Sequence, residues 1–247
     1  MVNPEEQPNR GIYLLPNLFT TAGLFAGFYA IVAAIRGDFA TAAVAIFVAM
    51  IMDGLDGRIA RLTNTQSDFG AEYDSLSDMV AFGLAPALVM FEWALSGMGK
   101  FGWMVAFIYA ACGALRLARF NTQVGIADKR FFQGLPSPAA AATIAGWVWL
   151  GHKYDLDPTV LTTVGVPLTF FTAILMVSTV RYHSFKELDL RGRVPFMVIL
   201  GLVLIFALIA IDPPIVLFTA FMVYALSGPV LTLIQLRKHR NERAQGK

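Results

Sequence analysis

The stretch MDGLDGRIARLTNTQSDFGAEYDSLSDMV, residues 52 to 80, sets five aspartates between two strongly apolar regions of the chain. Asp53 and Asp56 are three apart and Asp74 and Asp78 are four apart, so on helices each pair shares a face. The apolar runs on either side are long and unbroken, and others like them recur to the end of the sequence. Eight can be read, at 14–35, 39–56, 75–95, 101–120, 138–150, 159–180, 194–211 and 214–236. A membrane span needs roughly 17 to 25 residues, so the fifth run must recruit flanking residues such as Leu135 or Gly151, and seven spans is the alternative count. Barrel strands would alternate over about ten residues, which these runs do not do. The expectation is an all-α integral membrane protein of about eight transmembrane helices, forming one transmembrane domain over residues 1–247.

Composition agrees. Hydrophobic residues make up 57% of the chain and charged ones 15%, with a mean hydropathy of +0.62. The charges gather between the apolar runs, which excludes an ordinary soluble domain. Eight spans with a cytoplasmic N-terminus put sixteen of the 19 lysines and arginines inside: Arg10, Arg58, Arg61, Arg116, Arg119, Lys129, Arg130, Arg181, Lys186, Arg191, Arg193, Arg237, Lys238, Arg240, Arg243 and Lys247. Only Arg36, Lys100 and Lys153 fall outside. Cytoplasmic loops hold the positive excess, so both termini are expected on the cytoplasmic side of the inner membrane. The polar first eleven residues carry no signal-peptide pattern, and the first run is expected to stay as an anchor. Cys112 is the sole cysteine, which excludes an intrachain disulfide and a CxxC site. His152, His183 and His239 are scattered over different loops and read as solvated residues. No repeat, soluble domain or nucleic-acid partner is expected.

On this topology the quoted stretch is the inner end of the second segment, a short turn and the inner start of the third. Helices joined by a short connection pack as antiparallel neighbours, which lets the two acid pairs face each other. Two like charges about 4 Å apart repel by about 4 kcal/mol at an effective dielectric of 20. Without a cation such a cluster would protonate or splay. Hard divalent ions prefer carboxylate oxygens, and paired metals suit displacement at phosphorus. Gly54, Gly57, Ala60 and Gly70 leave space beside the acids for a ligand or for close helix packing. Arg61 could neutralise a phosphate or anchor the helix at the interface.

Written in full, the segment is Asp53-x2-Asp56-Gly57-x2-Ala60-Arg61-x8-Gly70-x3-Asp74-x3-Asp78. It resembles, without departure, the signature of the CDP-alcohol phosphotransferase family. The resemblance implies a membrane-embedded helical enzyme, usually a homodimer, that moves a substituted phosphoryl group from a CDP-linked donor to an alcohol and releases CMP. It further implies two divalent cations, Mg2+ or Mn2+. Asp53, Asp56 and Asp74 would hold one of them, and Asp53, Asp74 and Asp78 the other. Asp78 would also accept the alcohol proton. Gly57, Arg61 and Ser67 would touch the CDP part of the donor. The PNLFT run, with Pro16, Asn17, Leu18 and Thr20, resembles the family's other nucleotide-contacting stretch. Asp68, the fifth aspartate, falls outside the signature and reads as a turn or N-cap residue.

Three more stretches, CGALRLARFN at 112–121, FFQGLPSPAAA at 131–141 and VSTVRYHSFK at 177–186, resemble the bacterial membrane-integral phosphatidylserine synthase branch. The expected donor is therefore CDP-diacylglycerol and the expected acceptor L-serine. Arg116 and Arg119, three apart, could grip the serine carboxylate or reach for lipid headgroups. Asn121, Arg181 and Lys186 are further candidates for the acceptor pocket. Glycerol phosphate or inositol phosphate would also suit two arginines, which keeps phosphatidylglycerophosphate and phosphatidylinositol-phosphate synthases as alternatives. A cation transporter, from a different class, would place its acids on a path across the bilayer.

Overall fold

A computed structural model describes residues 14–123, 131–183 and 196–245. Among them are eight helices: α1 (Leu14–Ile35), α2 (Phe39–Leu62), α3 (Asp68–Met98), α4 (Lys100–Gln123), α5 (Ser137–Lys153), α6 (Pro158–Val177), α7 (Phe196–Ile211) and α8 (Pro213–Gln245). Each corresponds to one expected apolar run. Six of them, α1, α2, α3, α4, α6 and α8, are long and apolar enough to cross a membrane. α5 has 17 residues and α7 has 16. α5 does recruit neighbours, taking in Ser137 at its start and Gly151 to Lys153 at its end, while Leu135 stays outside the helix.

The boundaries around the acids moved, as did the end of α8, which runs on to Gln245 beyond the apolar run that stops at residue 236. α2 runs on to Leu62 where hydropathy stops at residue 56, and α3 starts at Asp68 where hydropathy starts at residue 75. Polar residues end an apolar run without ending a helix, because the i to i−4 backbone bonds do not depend on hydropathy. The acids therefore stand on helices, and the turn shrinks to residues 63–67.

Small side chains let the helices approach closely, as membrane packing favours. α1 and α2 bury Ala26, Ala30, Ala33 and Ala34 against Ala42, Ala43, Ala45 and Ala49. Asp38 caps α2 by accepting from the Thr41 N–H at 3.1 Å, and hydrogen bonding from the Thr41 side chain, then from its backbone, holds the carboxyl below the usual carboxylate range. At Gly27 the backbones of α1 and α3 touch: a Cβ there would lie 2.6 Å from Ala81 Cα. Gly27→Leu is expected to force these helices apart and destabilise the protein by at least about 1–3 kcal/mol, the usual cost of overpacking. The thermal midpoint in detergent measures this, and an unchanged midpoint would contradict the packing. α5 is enclosed almost throughout, with every residue from Ala139 to Val148 buried.

α3 is not regular. Its hydrogen bonding widens to π-helical over Met79–Leu84, the segment that begins next to Asp78, and again over Phe91–Leu95. Pro86 has no N–H to offer the Phe82 carbonyl four residues back, and the buried Tyr109 hydroxyl donates to that carbonyl at 3.3 Å instead.

One feature lies outside the helical expectation. β1 (Phe131–Gln133) and β2 (Arg181–His183) pair antiparallel, with Phe132 opposite Tyr182 and Gln133 opposite Arg181. Tyr182 is fully buried and donates its hydroxyl to the Ala225 carbonyl of α8 at 2.8 Å. Its ring fills the space a side chain at Gly228 would need. Towards the other end of the bundle, Lys153 and Tyr154 both donate to Asp212, tying the end of α5 to the α7–α8 turn. These bonds, with Tyr154 the larger influence, hold the Asp212 carboxyl below its ordinary range.

Candidate active site

The turn between α2 and α3 is built by its own side chains. Thr63 Oγ1 donates to the Ile59 carbonyl at 2.7 Å, and the Thr65 N–H donates to the Ala60 carbonyl at 3.1 Å. Asn64 between them adopts φ +53, a left-handed conformation that asparagine tolerates better than most residues. These bonds use the carbonyls that a helix end leaves over. Ser67 then caps α3, its Oγ accepting from the Gly70 N–H at 3.1 Å. The N-cap role expected of Asp68 thus belongs to Ser67, and Asp68 is exposed in the first helical turn. Asp68→Ala is expected to leave activity within about twofold, since exposed substitutions outside caps and cores cost about 0.5 kcal/mol or less. A CMP-release assay checks it, and a large loss would give Asp68 a role that the fold does not suggest.

The turn folds α3 back along α2, and the two acid pairs meet. Ligand oxygens of Asp53, Asp56 and Asp74 all lie within 4.8 Å of one another. Asp78, one turn further along α3, lines the same cleft with Thr20 and Ser77, above an apolar floor that includes Ala49, Ala81 and Phe82. Its charge interacts with those of Asp53, Asp74 and Asp56. Donors on one cation at 2.0–2.6 Å cannot stand more than about 5 Å apart, so this oxygen set fits a hard divalent ion.

α1 closes the cleft from a third side. Thr20 is buried, and its hydroxyl donates to Asp56 Oδ2 at 2.7 Å. Ser77 Oγ donates to the Thr20 carbonyl at 3.1 Å. Thr21 Oγ1 and the Tyr73 hydroxyl are 2.9 Å apart. The start of α1 is thereby fixed against both acid-bearing helices. Pro16 is buried there, Asn17 is half-buried and Leu18 is exposed. A Cβ at Gly70 would lie 3.5 Å from Asn17 Oδ1, which brings Asn17 to the cap of α3 beside Ser67. On α2, a Cβ at Gly57 would lie 3.5 Å from Arg61 Nη1, so the arginine leans back over the glycine. Among the described residues, no atom of another part of the chain lies within 4 Å of the corresponding point at Gly54. Of the donor-side candidates, Thr20 lines the cleft and bonds to Asp56, Pro16 and Asn17 lie on the same stretch of α1, Gly57 and Arg61 follow Asp56 on α2, and Ser67 caps α3.

The acceptor-side candidates divide. Arg116 on α4 is buried, donates from Nη1 to Ser137 Oγ at 2.8 Å, and has no partner at Nε among the described residues. Its charge and that of Asp78 interact. Asn121 reaches α3, donating from Nδ2 to Ser75 Oγ at 3.0 Å. Arg119, read from the sequence as reaching either for a carboxylate or for lipid headgroups, donates to backbone carbonyls. Nη1 donates to the Val177 carbonyl at 2.9 Å, and Nη2 to those of Gln133, Met176 and Ser178 at 3.0, 3.2 and 3.3 Å. The C-terminus of α6 leaves its carbonyls unsatisfied, and the guanidinium fork answers that need. Gly134, at φ +78, fits beneath this clamp, where a Cβ would be 2.3 Å from the Met176 carbonyl oxygen. Arg181 is on β2, and Lys186 lies outside the described residues. Ser77, Ser137 and Tyr73 were not foreseen. Ser77 and Tyr73 occupy unspecified positions of the signature, and only their nearness to Asp74 and Asp78 could have drawn attention to them.

Comparison with known proteins gives this cleft a context. A protein from Helicobacter pylori named CDP-diacylglycerol–serine O-phosphatidyltransferase is 34% identical over 237 residues, covering 96% of this chain and 100% of the relative. A Mycobacterium tuberculosis protein of the same name is 39% identical over 184 residues, covering 71% of this chain and 63% of its own. One from Methanocaldococcus jannaschii, again so named, is 39% identical over 142 residues, covering 58% and 63%. The family model described as CDP-alcohol phosphatidyltransferase matches residues 13–180, a span that begins just before α1 and takes in every described acid of the cleft. With that match over most of its length and a relative aligned from end to end, the chain belongs to the CDP-alcohol phosphatidyltransferase family.

Proposed function

We propose that this protein transfers the phosphatidyl group of CDP-diacylglycerol to the hydroxyl of L-serine, forming phosphatidylserine and CMP. The observation that carries the reading is the convergence of Asp53, Asp56 and Asp74 oxygens within 4.8 Å, in a chain that aligns over 96% of its length with a relative named for this reaction.

In this reading Asp53, Asp56 and Asp74 hold one divalent cation, Mg2+ or Mn2+, and Asp53, Asp74 and Asp78 hold a second. Bound there, the cations would supply positive charge against the diphosphate and the departing CMP. Pro16, Asn17, Thr20, Gly57, Arg61 and Ser67 hold the nucleotide half of the donor. Leu18, exposed on α1, faces the lipid half. The serine hydroxyl oxygen attacks the β-phosphorus as Asp78 takes its proton, and the bond from that phosphorus to the CMP oxygen breaks. Arg116 meets the serine carboxylate, with Asn121, Arg181 and Lys186 completing the pocket. Arg119 keeps the end of α6 and β1 in place beside it. The distribution of lysine and arginine supports a site and termini on the cytoplasmic side of the inner membrane. The functional unit is proposed to be a homodimer.

Purified protein in vesicles containing CDP-diacylglycerol, offered serine, glycerol 3-phosphate or inositol phosphate, tests the acceptor. CMP release is expected with serine. Release with glycerol 3-phosphate and none with serine would overturn the reading.

A further inference from the structure

We propose that Thr20 is a positioning residue that ties the nucleotide end of α1 to the cation-holding acids, with Ser77 completing the tie. This rests on the reading that the four aspartates hold divalent cations.

A threonine inside a helix ordinarily donates its hydroxyl to the carbonyl four residues back. Thr21, Thr143 and Thr169 do so at 2.7, 2.8 and 2.7 Å. Thr162 does so at 3.1 Å, and at Thr20 the same bond, to the Pro16 carbonyl, is 3.2 Å, while the hydroxyl stands closer, 2.7 Å, to Asp56 Oδ2. Its primary acceptor is therefore a carboxylate on another helix. The bond crosses 36 residues of sequence and is buried. A carboxylate offers about four acceptor sites, so one hydroxyl at Oδ2 fixes the plane of the group and leaves sites for a cation.

The backbone of the same residue acts on the other helix. The Thr20 carbonyl accepts from Ser77 Oγ, and Ser77 is buried three residues after Asp74 and one before Asp78. A single position on α1 thus touches the Asp56 side chain and the segment that carries Asp74 and Asp78. It sets how far apart the two acid-bearing helices stand at the depth of the cleft. Pro16 is four residues upstream, in the run proposed to meet the nucleotide, so a shift of that run on donor binding is felt at Asp56. Neither hydroxyl needs to touch a cation. Partners that orient ligating groups in this way typically change metal affinity 10- to 100-fold when removed, roughly the effect expected here.

The test is Mn2+ titration of the full-length protein in detergent, read by the electron paramagnetic resonance of free Mn2+, with no substrate present. Thr20→Val keeps the shape and loses the hydroxyl, and it is expected to bind Mn2+ about 10- to 100-fold more weakly. Thr20→Ser keeps the hydroxyl and is expected to restore affinity to within about threefold of wild type. Ser77→Ala removes only the second bond and is expected to weaken binding in the same direction, which supplies the answer if Thr20→Val does not fold. Wild-type affinity in folded Thr20→Val, or in Ser77→Ala where Thr20→Val is not folded, would overturn the tie and leave the cation reading intact. Binding that is absent in the wild type, or unaffected by Asp53→Asn, would overturn the cation reading itself.

Discussion

Asp78→Asn is expected to lower the rate of phosphatidyl transfer by roughly 10²- to 10⁴-fold, the range a positioned general base supplies. The substitution keeps shape and an acceptor oxygen but removes the capacity to take a proton. Asp78 is suited to that task by where α3 carries it. It lines the cleft one turn beyond Asp74, next to the segment where the helix widens into π-helical bonding. π-helical turns of this kind recur at functional sites. Arg116 is within electrostatic reach, so the group has a cationic neighbour as well as acidic ones. CMP release with saturating serine and Mn2+ measures the effect. Full activity in the variant would remove Asp78 from the role of base.

Asp53→Ala is the second large effect. Asp53 is the ligand assigned to both cations, as is Asp74, so its loss weakens both sites together. Cations at a phosphoryl group supply several kcal/mol of transition-state stabilisation, and each 1.36 kcal/mol is tenfold in rate. A loss of roughly 10²- to 10³-fold or more is therefore expected, with Mn2+ affinity falling in parallel. The variant also separates chemistry from folding. Removing one of three carboxylates whose oxygens crowd within 4.8 Å relieves repulsion in the cation-free protein. Its thermal midpoint in a chelator is expected to equal or exceed that of the wild type while activity is lost. A lowered midpoint together with retained Mn2+ binding would contradict the assignment.

The convergence of the acids was readable from spacing alone. Three- and four-residue intervals put each pair on one helical face, and a short connection leaves two helices little choice but to pack antiparallel. What hydropathy could not give was the length of those helices, because Arg58, Arg61 and Asp74 lower hydropathy without breaking a backbone ladder. The ribbon was hidden for a different reason. Its strands are three residues each and separated by nearly fifty, too short for a period of two to register. Arg119 could be read as a charge near the site, but its acceptors are backbone carbonyls of α6 and β1, which no side-chain pattern announces. Ser77 gives no signal in the sequence, and Thr20, though it stands in the PNLFT run, gives none of its bond to Asp56: a helical threonine ordinarily bonds to its own helix, and only the packing of α1 against α2 and α3 turns these hydroxyls outward.

The central claim, direct transfer of the phosphatidyl group to the serine hydroxyl, is tested most directly with serine carrying oxygen-18 in that hydroxyl. The protein in vesicles of CDP-diacylglycerol and Mn2+ is given the labelled amino acid, and the lipid and nucleotide products are weighed by mass spectrometry. Phosphatidylserine retaining the heavy oxygen, formed in equal amount with unlabelled CMP, is the expected result. Phosphatidic acid in its place, or phosphatidylserine without the label, would contradict it.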